Sequence, residues 1–238
     1  MNPDTFRTRS SLQIGGITPL TTIDYPDELA AVVFCQGCPW RCRYCHNREL
    51  VKRNVATEYS WTDILEKLKR RTNLLDAVVF SGGEPTLQAG LADAIYDVKQ
   101  LGMKTGLHTA GCYPDRLEKL LPMFDWIGLD IKAPSENYAE TTGVTGSGKK
   151  AWESLLLLAD SETDFEVRIT VHSGLLAEEK LMTLLQRLDH IGIKNIALQH
   201  CNTDSVLDQQ LGINHSYRVN SACSDYLKQH FDKAVIRT

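Results

Sequence analysis

Short apolar runs rich in β-branched residues begin near Ala30, Ala77, Lys104, Asp125, Phe165 and Asn195, and between them the apolar positions change to helical spacing. Trp61, Ile64, Leu65 and Leu68 fall on one helical face, and Ser60-Trp-Thr-Asp63 ahead of them reads as a capping box. Leu91, Ile95 and Val98 form a second stripe, which Gly102 ends. Pro114 suits the first turn of a helix carrying Leu117, Leu120 and Leu121. The stripe returns at Leu181, Leu184, Leu185 and Leu188, with Gly192 as a stop. Strand alternating with helix six times predicts a parallel sheet covered by helices, two units short of a closed eight-fold barrel.

Polar residues gather where these strands end. The first run, Ala31-Val-Val-Phe34, leads into Cys35-Gln-Gly-Cys38-Pro-Trp-Arg-Cys42-Arg-Tyr-Cys45, and the second, Ala77-Val-Val-Phe80, into Ser81-Gly82-Gly83-Glu84-Pro85. His108 to Gly111 ends the third, Asp130-Ile131-Lys132 the fourth, and Arg168 lies on the fifth. Cys38, Cys42 and Cys45 can fold round one metal centre without closing a four-ligand site. A 4Fe-4S cluster held by three cysteines keeps one iron open to a substrate or cofactor. A four-cysteine zinc site using Cys35 is the bland alternative, but Pro39, Trp40 and Arg41 leave little chain to close a tetrahedron. Cys35 reads better as a buried thiol at a strand end, and the remaining cysteines are scattered.

Composition narrows the field. The chain has 238 residues, 42% hydrophobic and 24% charged, with a formal net charge of -4. No Lys/Arg block suggests a nucleic-acid surface, and no run reaches membrane-spanning length. Met1 to Ser11 lacks an apolar signal core, and seven cysteines without an export signal suit a reducing cytoplasm. A single domain over 1–238 is expected, with a core of about 13–200 and an α/β extension over 201–238.

The Cys-x3-Cys-x2-Cys run followed by Gly82-Gly83-Glu84-Pro85 resembles the radical S-adenosylmethionine (SAM) superfamily. The fold implied is a partial (β/α)6 barrel with its site at the C-terminal strand ends. Implied too is a 4Fe-4S cluster on Cys38, Cys42 and Cys45 that chelates SAM and cleaves it to a 5′-deoxyadenosyl radical. Within the superfamily, Cys42-Arg-Tyr-Cys45-His46-Asn47-Arg48 and Thr109-Ala110-Gly111 resemble glycyl-radical-enzyme activating enzymes. Gly15 to Pro26 most resembles the activators of anaerobic ribonucleoside-triphosphate reductase. The resemblance runs from about Gln13 to Gln199. It places Tyr44, His46, Gly82, Gly83, Glu84, Thr109, Asp130, Lys132 and Arg168 around SAM, with His200 or Asn202 at the sixth strand end. Tyr44 would lie by the adenine, Gly83 by the amino group, and Asp130 and Lys132 by the ribose and carboxylate. His108 replaces an aspartate of a monovalent-cation site in pyruvate formate-lyase activating enzymes, though Thr109 and Asp130 remain able to bind such an ion.

Gly143-Val-Thr-Gly-Ser-Gly148-Lys149-Lys150 nearly spells a P-loop, but lacks the hydroxyl residue after the lysine. It reads as a Gly-rich loop leading into a helix over Ala151 to Ala159, after a loop-like Pro134 to Thr142. The expected partners are a glycyl radical enzyme, foremost an anaerobic ribonucleotide reductase, and a flavodoxin- or ferredoxin-type electron donor. Pyruvate formate-lyase, another glycyl radical enzyme or a small-molecule substrate are the alternatives.

Overall fold

The computed structural model describes residues 12–204, 206–212 and 219–237; the polar stretch Met1 to Ser11 lies outside them. One eight-stranded sheet runs in sequence order, β1 (Ile14–Thr21), β2 (Ala30–Cys35), β3 (Ala77–Gly82), β4 (Lys104–Thr109), β5 (Trp126–Asp130), β6 (Asp164–Val171), β7 (Asn195–His200) and β8 (Lys233–Arg237). β1 is antiparallel to β2 and every other neighbouring pair is parallel. The crossovers carry α1 (Trp61–Lys69), α2 (Leu91–Gln100), α3 (Pro114–Leu120), α4 (Tyr138–Thr142), α5 (Ser147–Ala159), α6 (Glu178–Ile191) and α7 (Ser221–His230). β2 to β7 are the six predicted strands of a partial barrel, and β1 and β8 are its two edges.

The period of two along each strand sorts side chains between two layers. In β2 and β3, Ala31, Val33, Val78 and Phe80 face the helices and join the main core with Ile64, Leu68, Ile95, Leu181 and Leu184. The alternate residues Ala30, Val32, Ala77 and Val79 face inward and pack with Tyr25 and Trp126, whose rings lie 5.2 Å apart. Small inner side chains on those strands let two large rings fill the barrel's N-terminal end. The C-terminal end is left for polar groups.

Three local expectations are corrected. Ser60 precedes α1, but its side chain makes no capping hydrogen bond. Pro134 to Thr142 is not loop throughout, because it contains α4. α5 begins at Ser147, four residues early: Gly143 and Gly146 take φ of 68° and 77°, and Ser147 Oγ donates to the Val144 carbonyl at 2.7 Å. The helix α4, rather than a strand, leads into this segment, as the rejection of a P-loop requires.

Candidate functional site

The cysteine-bearing loop is fixed by backbone hydrogen bonds from several parts of the chain. Gly37 and Cys38 N–H donate to the Leu50 and Val51 carbonyls, and Arg41 and Arg43 N–H to those of Thr142 and Thr141 at the end of α4. Leu207 and Asp208 N–H donate to the Cys45 and Arg43 carbonyls at 2.9 Å each, and the Asp208 carboxylate accepts from Arg43 Nε at 2.7 Å. Val206 packs with Tyr44, Leu175 and Cys201 beneath this strap. No sequence pattern hints at the strap, because Arg43 and Asp208 stand 165 residues apart.

The Gly82-Gly83 turn meets the same loop. Cys35 and Gly82 are paired in register, Gly83 N–H donates to the Cys35 carbonyl, and Glu84 N–H to that of Gly37. Gly82 has φ of 107°, a conformation that disfavours a side chain. A Cβ on Gly83 would stand 2.3 Å from the Gly37 carbonyl oxygen and 2.9 Å from that of Leu50. The glycine therefore lets two backbones touch, rather than only making room for a ligand.

Cys38, Cys42, Cys45, Tyr44, His46, Gly82, Gly83, Thr109, Asp130, Lys132 and Arg168 all line one cavity of about 270 Å³ at the C-terminal strand ends. Two predicted residues do not. Glu84 is wholly buried beneath the wall; its carboxylate accepts from Thr86 N and Oγ1, Thr109 Oγ1 at 2.7 Å and Ala110 N at 3.0 Å. It ties β3's turn to β4's, so it supports the site without reaching it. Asn202 does not line it, its Oδ1 accepting from Asp204 N, whereas His200, the other residue expected at this strand end, does, together with Gln199. Trp40 and Ser81, which stand inside the cysteine and glycine motifs, and Thr170 also line the wall. Thr170 had only a positional signal: it stands two residues after Arg168, on the same face of β6.

The same cavity holds a charged corner. Asp130 and Arg168 are register partners on β5 and β6, with Arg168 Nε and Nη2 at 2.9 and 2.8 Å from Asp130 Oδ1. Lys132 Nζ stands 3.4 Å from Asp130 Oδ2 and 5.5 Å from the Tyr44 ring centroid. Burial favours the neutral acid at Asp130, but Arg168 and then Lys132 outweigh it and hold the pKa down to about 2. Burial, then the Arg168 charge, pushes His108 down to about 3, so the imidazole is neutral. His108 Nε2 lies 2.8 Å from the Asp24 carbonyl and Nδ1 3.3 Å from Ser81 Oγ. Thr109 Oγ1 donates to Glu84, and the Asp130 carboxylate faces both Arg168 and Lys132.

The donor set fits a 4Fe-4S cluster with SAM beside it. Three thiols share one wall, and among the described residues no three Cys, His, Asp or Glu side chains are arranged to hold a single metal ion. A polynuclear cluster takes each thiolate on a separate iron and needs no such convergence. Burial raises the Cys42 thiol to about 12 and also raises Cys45, whereas a hydrogen bond from Cys112, buried next to it, lowers Cys38. The Tyr44 hydroxyl is buried near Lys132 yet lacks a well-formed hydrogen bond, an orphan atom that a bound ligand can satisfy. Cys35 is fully buried in the core, with its thiol pushed up by burial, as a strand-end structural residue would be.

The sequence profile of the Radical SAM superfamily matches residues 32–208. A Methanocaldococcus jannaschii protein provisionally named as a glycyl-radical enzyme activating enzyme is 28% identical over 94% of this chain and 95% of its own length. The pyruvate formate-lyase-activating enzyme of Clostridium pasteurianum is 34% identical over 60% of this chain and 61% of its own length. Among solved structures, QueE from Escherichia coli superposes with a TM-score of 0.57 at 18% identity, covering 96% of this chain and 94% of that one. Streptococcus suis SuiB bound to S-adenosylmethionine gives 0.65 at 17% identity, covering 85% of this chain and 48% of its own. The matched profile spans most of the chain and includes all three cavity thiols, so this protein belongs to the radical SAM superfamily.

Proposed function

We propose that this protein is an activase that installs a glycyl radical on a partner enzyme, foremost an anaerobic ribonucleoside-triphosphate reductase. The observation that carries the reading is the meeting of Cys38, Cys42 and Cys45 with Gly83, Asp130 and Lys132 around one cavity. When bound, the cluster and SAM together supply a 5′-deoxyadenosyl radical able to take a hydrogen atom from glycine Cα.

The chain's residues bind and orient. Cys38, Cys42 and Cys45 would hold the cluster. Lys132 and Arg168 would meet the SAM carboxylate while Asp130 would meet the ribose or the amino group, each charge facing its opposite in a partly dry site. Tyr44 offers an aromatic wall for the adenine. The open edge between β1 and β8, which do not pair among the described residues, suits a macromolecular substrate such as a glycine-bearing loop. Similarity to a provisionally named activating enzyme over 94% of the chain supports a protein substrate over a small molecule.

The Gly15 to Pro26 stretch and His108 favour the reductase as partner. The second reading, pyruvate formate-lyase, draws on 30% identity to the Escherichia coli pyruvate formate-lyase 1-activating enzyme over 64% of this chain. Mixing the reduced protein and SAM anaerobically with each enzyme separates them. The reductase is expected to give a glycyl radical doublet by electron paramagnetic resonance. A silent reductase beside an activated pyruvate formate-lyase transfers the proposal to the second partner.

A further inference from the structure

Outside the cavity, three cations converge on one aromatic ring. The Arg116 guanidinium carbon lies 4.8 Å and Lys150 Nζ 5.9 Å from the Tyr113 ring centroid, and Arg53 Nη2 donates to the Tyr113 hydroxyl at 3.4 Å. Tyr113 is half-buried and all three cations are exposed. They come from the loop after the cysteines, from α3 and from α5, so three separate elements place like charges together. None of the three is ion-paired among the described residues; Glu153, one turn along α5, faces Lys149 at 3.8 Å. The acid nearest in sequence is Asp115, exposed at the start of α3. Gathered positive charge opposes folding slightly and attracts an anionic partner.

The patch also adjoins the thiols. Cys112, next to Tyr113 in the chain, is buried in the core against which Cys38 packs. Arg53 packs beside Gly37, its Cγ 3.2 Å from where a Cβ would stand. None of Arg53, Tyr113, Arg116 or Lys150 lines the cavity, so the patch stays accessible when the cavity is filled. The chain's net charge of -4 repels an acidic protein on average, which makes a local positive spot near Cys38 discriminating.

Resting on the radical SAM reading above, we propose that Arg53, Tyr113, Arg116 and Lys150 form the docking site of an acidic one-electron carrier protein. One electron would leave the carrier's reduced centre, oxidising it, and reach the cluster that Cys38, Cys42 and Cys45 would hold, reducing it. No bond forms or breaks in this transfer.

The test measures binding of a flavodoxin and of a ferredoxin to the cluster-loaded protein by anaerobic calorimetry at low and high ionic strength. At least one carrier is expected to bind the wild type. Its dissociation constant should rise about tenfold or more in Arg53→Glu/Lys150→Glu, with a shallower salt dependence. Arg116 is left intact because it also donates to the Thr86 and Leu87 carbonyls. Lys67→Glu/Lys228→Glu, which changes net charge equally at exposed sites elsewhere, should bind as the wild type does. Dithionite should reduce the cluster and drive SAM cleavage equally in all three proteins. If the glutamate pair disturbs the fold, Arg53→Gln/Lys150→Gln carries the same comparison. Failure of both carriers to bind the wild type, unchanged affinity in the patch variant, or equal weakening in the control overturns the docking site. Loss of dithionite-driven cleavage in the wild type would instead overturn the radical SAM chemistry on which it rests.

Discussion

At the residue scale, the four cysteines before residue 46 divide by surroundings. Cys38, Cys42 and Cys45 line the cavity, while Cys35 is sealed in the core and paired in register with Gly82. Single Cys→Ala changes at 38, 42 or 45 are expected to abolish the 4Fe-4S absorption of anaerobically reconstituted protein, and Cys35→Ala to retain it. Equal loss from Cys35→Ala would contradict the ligand assignment. His108 carries a separate prediction about pH. Its folded pKa is depressed to about 3 by burial and by Arg168, while in the unfolded chain it binds a proton near the ordinary value of about 6.5. Between those values the unfolded state holds more protons, so stability falls as pH falls, by up to about 1.4 kcal/mol per unit from this group. Urea unfolding from pH about 7 to 5 should therefore show a smaller acid-side loss in His108→Gln than in the wild type; identical slopes would rule this out. Asp130, on the neighbouring strand, behaves with the opposite charge but the same sign. Held down to about 2, it adds stability above about pH 4 that disappears as pH falls towards 2.

At the element scale, the glycine turn after β3 changes what a mutation there means. From sequence, Gly83→Val would be expected to block SAM by filling ligand space. The structure puts the Cβ against the Gly37 and Leu50 carbonyls instead, so the branched side chain would displace the loop that carries the thiols. Gly83→Val should lose the cluster absorption together with SAM affinity. An intact cluster with SAM affinity alone impaired would restore the ligand-space explanation. Elements with a strong period are legible in the sequence: β2 to β7 begin within one residue of the predicted positions, and the α6 stripe is buried as written, with Gly192 in the left-handed conformation at its end. β1 escapes the pattern because Gly15, Gly16 and Pro19 read as breakers, and such residues are tolerated at an antiparallel edge. The cavity thiols, Gly82, Asp130, Lys132 and Arg168 are legible because local motifs sit at strand ends. Glu84's role beneath the wall, the Asp208 strap and the approach of Cys112 to Cys38 are not, because each depends on contacts between distant segments that no spacing rule encodes.

At the scale of the whole molecule, helices seal one face of the sheet, two aromatic rings plug one end of the barrel, and polar chemistry occupies the other end. This places thiols and charged groups in one cavity at the C-terminal strand ends. Proposed on that architecture is hydrogen-atom abstraction from a glycine of a protein partner, and isotope transfer tests it most directly. The reductase is produced with glycine deuterated at Cα and mixed anaerobically with the reduced protein and unlabelled SAM. The account predicts that the 5′-deoxyadenosine formed gains one deuterium, in step with the appearance of a glycyl radical on the reductase. Unlabelled 5′-deoxyadenosine, formed without a radical on the reductase or on pyruvate formate-lyase treated in the same way, would contradict it.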